Sequence, residues 1–163
     1  MEENHILIAM VEDRPGVLQR IAGLFRKRNF NIDSITVGHS EKPGISRITL
    51  TVTGDLVILE QVMKQLNKIV EVLKVIELYK DNSVLRELAL IKIKIENEAN
   101  RSEIVSYINI FRGRIIDVSK NLIIVEITGD SSKVEAFINI VGSDKIKELA
   151  RTGITAMGRG SSK

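Results

Sequence analysis

The stretch Val11-Glu12-Asp13-Arg14-Pro15-Gly16-Val17-Leu18-Gln19-Arg20-Ile21 passes from a strand pattern to a helix pattern across one Pro-Gly step. Upstream, His5 to Val11 is nearly continuous apolar sequence of strand length. Downstream, Val17, Leu18, Ile21, Leu24 and Phe25 recur at helical spacing. The junction therefore reads as a strand-to-helix loop, with Pro15 expected in the first helical turn, where its missing N–H would have been unpaired anyway. Gly16 adds no side chain there. Free backbone N–H groups and the positive end of the helix dipole would suit a carboxylate or phosphate at this point. Taken alone, Pro-Gly is also ordinary helix punctuation, so the neighbouring sequence has to decide.

Working outward, Asn29-Phe30-Asn31-Ile32-Asp33 follows the helix, and Ile35 and Val37 begin a second strand leading to Pro43-Gly44. Ile48, Leu50 and Val52 then alternate with Arg47, Thr49, Thr51 and Thr53, the pattern of a half-buried strand. Gly54-Asp55 stops it and caps a second helix carrying Leu56, Leu59, Val62, Met63 and Leu66 on one stripe, and Val70 to Leu78 reads as a fourth strand. The order is βαββαβ.

The polar, turn-prone interval Tyr79-Lys80-Asp81-Asn82-Ser83 separates this unit from a second one, giving expected domains 1–78 and 84–163 joined by a linker at 79–83. After it, Ile91, Ile93 and Ile95 alternate with Lys92 and Lys94, a strand with one wet face. Asn100 with Glu103, and Ser132 with Glu135, have the spacing of capping boxes for two further helices. Strands are expected at Arg114 to Val118 and Leu122 to Thr128, and a last strand or short helix at Ile146 to Met157. The fold class is thus α+β, with two ferredoxin-like units. Thr53-Gly54-Asp55 and Thr128-Gly129-Asp130 echo one another, as do Phe25-Arg26-Lys27-Arg28 and Phe111-Arg112-Gly113-Arg114, each pair expected to close equivalent elements.

Composition removes several classes of function. The chain has 163 residues and no cysteine, so neither a thiol nucleophile nor a Cys-ligated metal is possible. No apolar run approaches the roughly twenty residues a membrane helix requires, and the acidic amino terminus lacks a leader pattern, so a cytoplasmic location and no membrane partner are expected. A net charge of +3 from 24 basic and 21 acidic residues, interspersed, is no nucleic-acid footprint. RNA-binding sheets stack bases on strand aromatics, whereas Phe25, Phe30, Phe111 and Phe137 fall on or beside helices, so no nucleic-acid partner is expected. Arg26-Lys27-Arg28 ends the first helix, where cations face the dipole favourably.

Catalytic groupings are likewise missing from the sequence. His5 and His39 stand apart at strand ends, and no nucleophile elbow, P-loop or dinucleotide loop occurs. Glu12 and Asp13 are adjacent on one strand and point to opposite faces, which prevents a shared acid–base task. A small hydrolase of ferredoxin-like fold would need an anion loop, and although Arg14 and Asn31 could imitate its polar pair, the surrounding motif is absent.

The residues resemble the ACT domain, a ligand-sensing module of amino-acid metabolism that opens its first helix with Asp/Asn-x-Pro-Gly-x-Leu. The similarity extends further. Pro15-Gly16-Val17-Leu18 with Gly23-Leu24-Phe25, Arg28 to Val37 and Ser46-Arg47-Ile48-Thr49 resemble the small regulatory subunit of acetolactate synthase. Ile110 to Val118 and Ala150-Arg151-Thr152-Gly153 resemble that family's second domain, which a free-standing ACT sensor of another enzyme or a transcription factor would not need. The resemblance implies a non-catalytic chain that pairs as a homodimer through the ACT domain. It would carry no cofactor of its own, with thiamine diphosphate, Mg and FAD confined to a large catalytic subunit. It further implies an effector, a branched-chain amino acid such as valine. Its carboxylate would meet the Gly16, Val17 and Leu18 amides, its side chain Val11 and Leu18, and its ammonium Asp13, with Asn31 and the Ile32 backbone coming from the second copy. Asp13 stands where the family usually carries Asn; an ionised carboxylate only accepts hydrogen bonds, which suits an ammonium and repels a carboxylate.

Overall fold

A computed structural model describes residues 3–28 and 30–160. Asn29, part of one block quoted above, lies outside these, as do Met1 and Glu2 of the acidic amino terminus. The elements are β1 (Glu3–Glu12), α1 (Val17–Arg28), β2 (Ser34–His39), β3 (Ile45–Gly54), α2 (Leu56–Leu66) and β4 (Val72–Leu78). After a 3-10 turn at Lys80–Asn82 come β5 (Ser83–Lys94), α3 (Glu98–Ile110), β6 (Arg114–Val118), β7 (Leu122–Gly129), α4 (Ser131–Val141), β8 (Ile146–Arg151) and β9 (Thr155–Gly158). The βαββαβ order recurs in both halves, and the fold is α+β. One antiparallel sheet has the order β2-β3-β1-β4, the other β6-β7-β5-β8, with β9 pairing β5.

Continuous apolar sequence in β1 has a physical cause, since both of its faces are covered. Leu7, Ala9 and Val11 face the core formed with Val17, Ile21 and Phe25 of α1 and Leu59, Val62 and Leu66 of α2. Ile6 and Ile8 face a second cluster with Ala156, flanked by Met10, Ile76, Leu78, Leu85 and Ile154. The same covering overrides the half-wet reading of β3, because Thr49 and Thr51 are as buried as Ile48, Leu50 and Val52 between them. In the second sheet the expected alternation holds, Ile91 and Ile93 being buried and Lys94 exposed.

Contacts divide the chain into two compact units, drawn differently from the boundary expected at 79–83. The first runs to Leu85 and takes back the segment from Ile154; the second is Arg86–Gly153. Tyr79 to Ser83 lies within the first unit. Ser83 already belongs to β5 and is buried, and Arg159 donates to it and its neighbour, from N–H to the Asn82 carbonyl (2.7 Å) and from Nε to the Ser83 carbonyl (3.2 Å). Between Ile146 and Met157, where a last strand or short helix was expected, the described residues form two strands, β8 and β9.

Two of the three expected helix caps lie two or three residues earlier than spacing suggested. Asp55 caps α2 as expected, accepting from Ile58 N–H at 2.9 Å. The cap of α3 is Asn97, accepting from Asn100 N–H, and that of α4 is Asp130, accepting from Lys133 N–H. Each has a short polar side chain in extended backbone just before the helix, so it outcompetes the downstream Asn100 and Ser132. Leu56, placed on the buried stripe of α2, is 69% exposed, since the first turn projects beyond the sheet-facing residues Leu59, Val62 and Leu66. The two Phe-Arg echoes differ too. Phe25 is buried in the last turn of α1, whereas Phe111 is the C-cap of α3.

Candidate effector site

At the end of β1 the chain turns tightly, with Asp13 N–H donating to the Gly44 carbonyl (2.8 Å) and Arg14 N–H to the Glu12 carbonyl (3.1 Å). Gly16 has φ +90°, a region that side chains disfavour, and its carbonyl accepts the Arg20 N–H at 3.0 Å. Gly16 is therefore the cap of α1, and Pro15 lies in the turn before it rather than in the first helical turn. Pro followed by a positive-φ Gly is the order of a type II turn, which a helix cannot include. The N–H groups of Val17, Leu18 and Gln19 have no acceptor among the described residues. Beside Gly16 the space is open, since a Cβ there would meet no atom within 4 Å.

Charges of both signs surround this helix start. The Asp13 carboxylate lies 3.0 Å from His39 Nδ1 at the end of β2. Arg14 Nε bonds Glu12 at 2.8 Å, and its Nη2 bonds Glu71 Oε1 at 3.2 Å; Arg20 Nη1 bonds the same oxygen. Glu71 is only 3% exposed and its other oxygen, Oε2, is buried without a partner. Its own backbone N–H, then the guanidinium charges of Arg20 and Arg14, hold the carboxyl below the usual carboxylate range, against burial, which pushes the other way.

Two family models match the chain, an ACT domain like that of the acetohydroxyacid synthase small subunit over residues 7–74 and the small subunit of acetolactate synthase over 86–160. A probable acetolactate synthase small subunit of Methanothermobacter thermautotrophicus is 55% identical, covering 98% of this chain and 95% of its own. The acetolactate synthase small subunit of Bacillus subtilis is 49% identical over 96% and 91%. The chain belongs to the acetolactate synthase small subunit family. A solved member of that family from Thermotoga maritima superposes with a TM-score of 0.92 at 48% identity, covering 97% of this chain and 98% of that one.

Within this small-subunit chain the expected site residues are only partly brought together. Gly16, Val17 and Leu18 form the open helix start, Asp13 is exposed beside it, and Leu18 is 47% exposed. Val11 is 2% exposed and belongs to the core, so of the two expected apolar contacts only Leu18 offers surface within the chain. Asn31 lies apart and exposed, its Nδ2 donating to Asp33 Oδ1 at 3.1 Å, and Ile32 packs against the core. Sequence reasoning missed Glu71, Arg20 and His39. Glu71 carried a signal, a single acid between Val70 and Val72 at the start of an apolar strand.

The far end of β1 offers a different environment. An open groove of about 340 Å³ there is lined by Glu3, His5, Gly54 and Asp55 among others. His5 is buried, with Nδ1 3.1 Å from Glu77 Oε1 and Nε2 3.2 Å from the Gly54 carbonyl. Among the described residues no three His, Asp or Glu side chains gather as a metal site, and no helix is long and apolar enough to cross a membrane.

Proposed function

We propose that this chain is the regulatory subunit of acetolactate synthase in the biosynthesis of valine, leucine and isoleucine, acting in the cytoplasm on a separate large subunit. The large subunit holds thiamine diphosphate, Mg and FAD and performs the chemistry; this chain activates it and makes it sensitive to a branched-chain amino acid, valine. The observation that carries the reading is the start of α1, capped by a glycine that has no side chain, where the Val17 and Leu18 N–H groups have no acceptor among the described residues and an exposed carboxylate, Asp13, stands nearby. An α-amino acid has the complementary charges, its carboxylate toward the amides and dipole and its ammonium toward Asp13. The second copy of a homodimer supplies Asn31 and Ile32, which makes ligand binding and dimer geometry one equilibrium. A ligand that prefers one dimer arrangement shifts the population toward it.

The test is reconstitution. The chain alone turns over no pyruvate; added to the large subunit it raises acetolactate formation, and valine then lowers it. Unaided turnover by the purified chain, or no effect on the large subunit, would sink the proposal.

A further inference from the structure

Arg14 and Arg20 stand on opposite sides of the Pro15-Gly16 turn, one before it and one on the first turn of α1, yet both guanidinium groups bond one oxygen of Glu71. Glu71 comes from a remote part of the chain, the turn that feeds β4. Its backbone is fixed as well, since its carbonyl accepts the Glu12 N–H at 2.9 Å. The two arginines are themselves largely exposed, at 54% and 62%, while the Glu71 side chain is 4% exposed. This asymmetry matters. An exposed ion pair between mobile side chains contributes little, but a buried carboxylate with one oxygen unpartnered depends on its few donors, and losing them leaves an uncompensated buried charge. The energetic penalty for letting the turn wander therefore falls on Glu71.

We propose that Glu71 is the positioning residue of the effector loop: through Arg14 and Arg20 it clamps both flanks of Pro15-Gly16 and so fixes the direction in which the Val17 and Leu18 amides point. The role in ligand affinity rests on the effector reading above; the clamp itself does not. Glu71 need not touch the ligand. A preorganised anion site binds more tightly than one that must be ordered on binding, because the ordering cost has already been met in folding.

The experiment uses the full chain and the variants Glu71→Gln, Arg20→Ala and their double mutant. Residue-resolved amide exchange reads the clamp without any ligand, at three N–H groups bonded in and around the turn: Glu12 to Glu71, Asp13 to Gly44 and Arg20 to Gly16. In Glu71→Gln these three are expected to exchange at least tenfold faster while amides of β3 and α2 keep their rates, and valine calorimetry should show at least tenfold weaker binding. Arg20→Ala should act in the same direction and add little in the Glu71→Gln background, the signature of one shared interaction. Unchanged exchange in Glu71→Gln overturns the clamp, and so does acceleration spread evenly through β3 and α2, which would make Glu71 a general stabiliser. If Glu71→Gln does not fold, Arg20→Ala, altered at an exposed side chain, answers the same question. A wild-type chain that binds no valine refutes the effector reading, and the exchange result still decides the clamp.

Discussion

Gly16 carries two burdens that pull a substitution in different directions. Its φ of +90° makes any side chain strained, by about 1–2 kcal/mol, although Asp is among the residues that tolerate this region best. A carboxylate at a helix start recovers about 0.3–1 kcal/mol from the dipole. Gly16→Asp is therefore expected to fold with a modest loss of stability, and to lose valine binding by at least about two orders of magnitude. Two charge-assisted bonds of about 1.5–3 kcal/mol each would be displaced by a like charge. Calorimetry checks this, with Gly23→Asp as the control, since Gly23 sits in α1 with open space around it. Near-native valine affinity in Gly16→Asp would move the site elsewhere. Glu71 sets the acid behaviour of the same loop. Its carboxyl titrates below the ordinary 4.5 when folded, so its contribution is complete above that value and is lost as pH falls through the lower folded one. In urea titrations the wild-type chain should exceed Glu71→Gln in stability at neutral pH, and the gap should close on acidification; a constant gap would mean that Glu71 is not ionised in the fold.

At the scale of elements, the end of α3 shows how a sequence signal can name the right residue for the wrong reason. Glycine after a helix normally supplies the left-handed residue of its C-terminal turn. Here that residue is Arg112, with φ +52°, its N–H donating to the Asn109 carbonyl while Gly113 N–H donates to the Ile108 carbonyl. Gly113 is required instead by close approach. A Cβ there would collide with Ile127 Cδ1 and lie 3.2 Å from the Glu126 carbonyl. The two neighbours should respond oppositely in chemical denaturation. Arg112→Gly is expected to stabilise by about 1 kcal/mol by relieving the strain, and Gly113→Ala to destabilise by about 1–3 kcal/mol through overpacking. If both changes had the same sign, this description of the helix end would be wrong.

For the whole molecule, the returning carboxyl-terminal segment is the feature with the largest expected effect. Ala156 is 1% exposed against Ile6 and Ile8, and Arg47 Nη2 donates to the Ala156 carbonyl at 2.8 Å. Deleting the chain from Ile154 onward would bare one face of β1. Since a fully buried Ile contributes about 1.5–3 kcal/mol, a loss of about 3 kcal/mol or more is expected in the first unit. Amides of β1 should lose protection while those of β7 in the second unit keep theirs. Identical protection in the truncated chain would show that the tail is ornamental to the first unit.

The sequence by itself determined the element order, the α+β class and the position of the open helix start. Periodicity, Pro-Gly and Gly-Asp are local signals, and local chain geometry decides them. The tertiary structure alone decided which faces are wet, and it did so against the pattern at Thr49 and Thr51, because alternation records side-chain polarity and not what later sequence comes to lie over it. It also decided where the first unit ends, since a segment beginning at Ile154 returns across more than a hundred residues to cover β1. The residues around the loop divided in the same way. Asp13, Gly16 and Leu18 were legible because they sit on the loop, whereas Glu71 is brought beside Arg14 and Arg20 only by the pairing of β4 with β1, a long-range contact that no local pattern encodes.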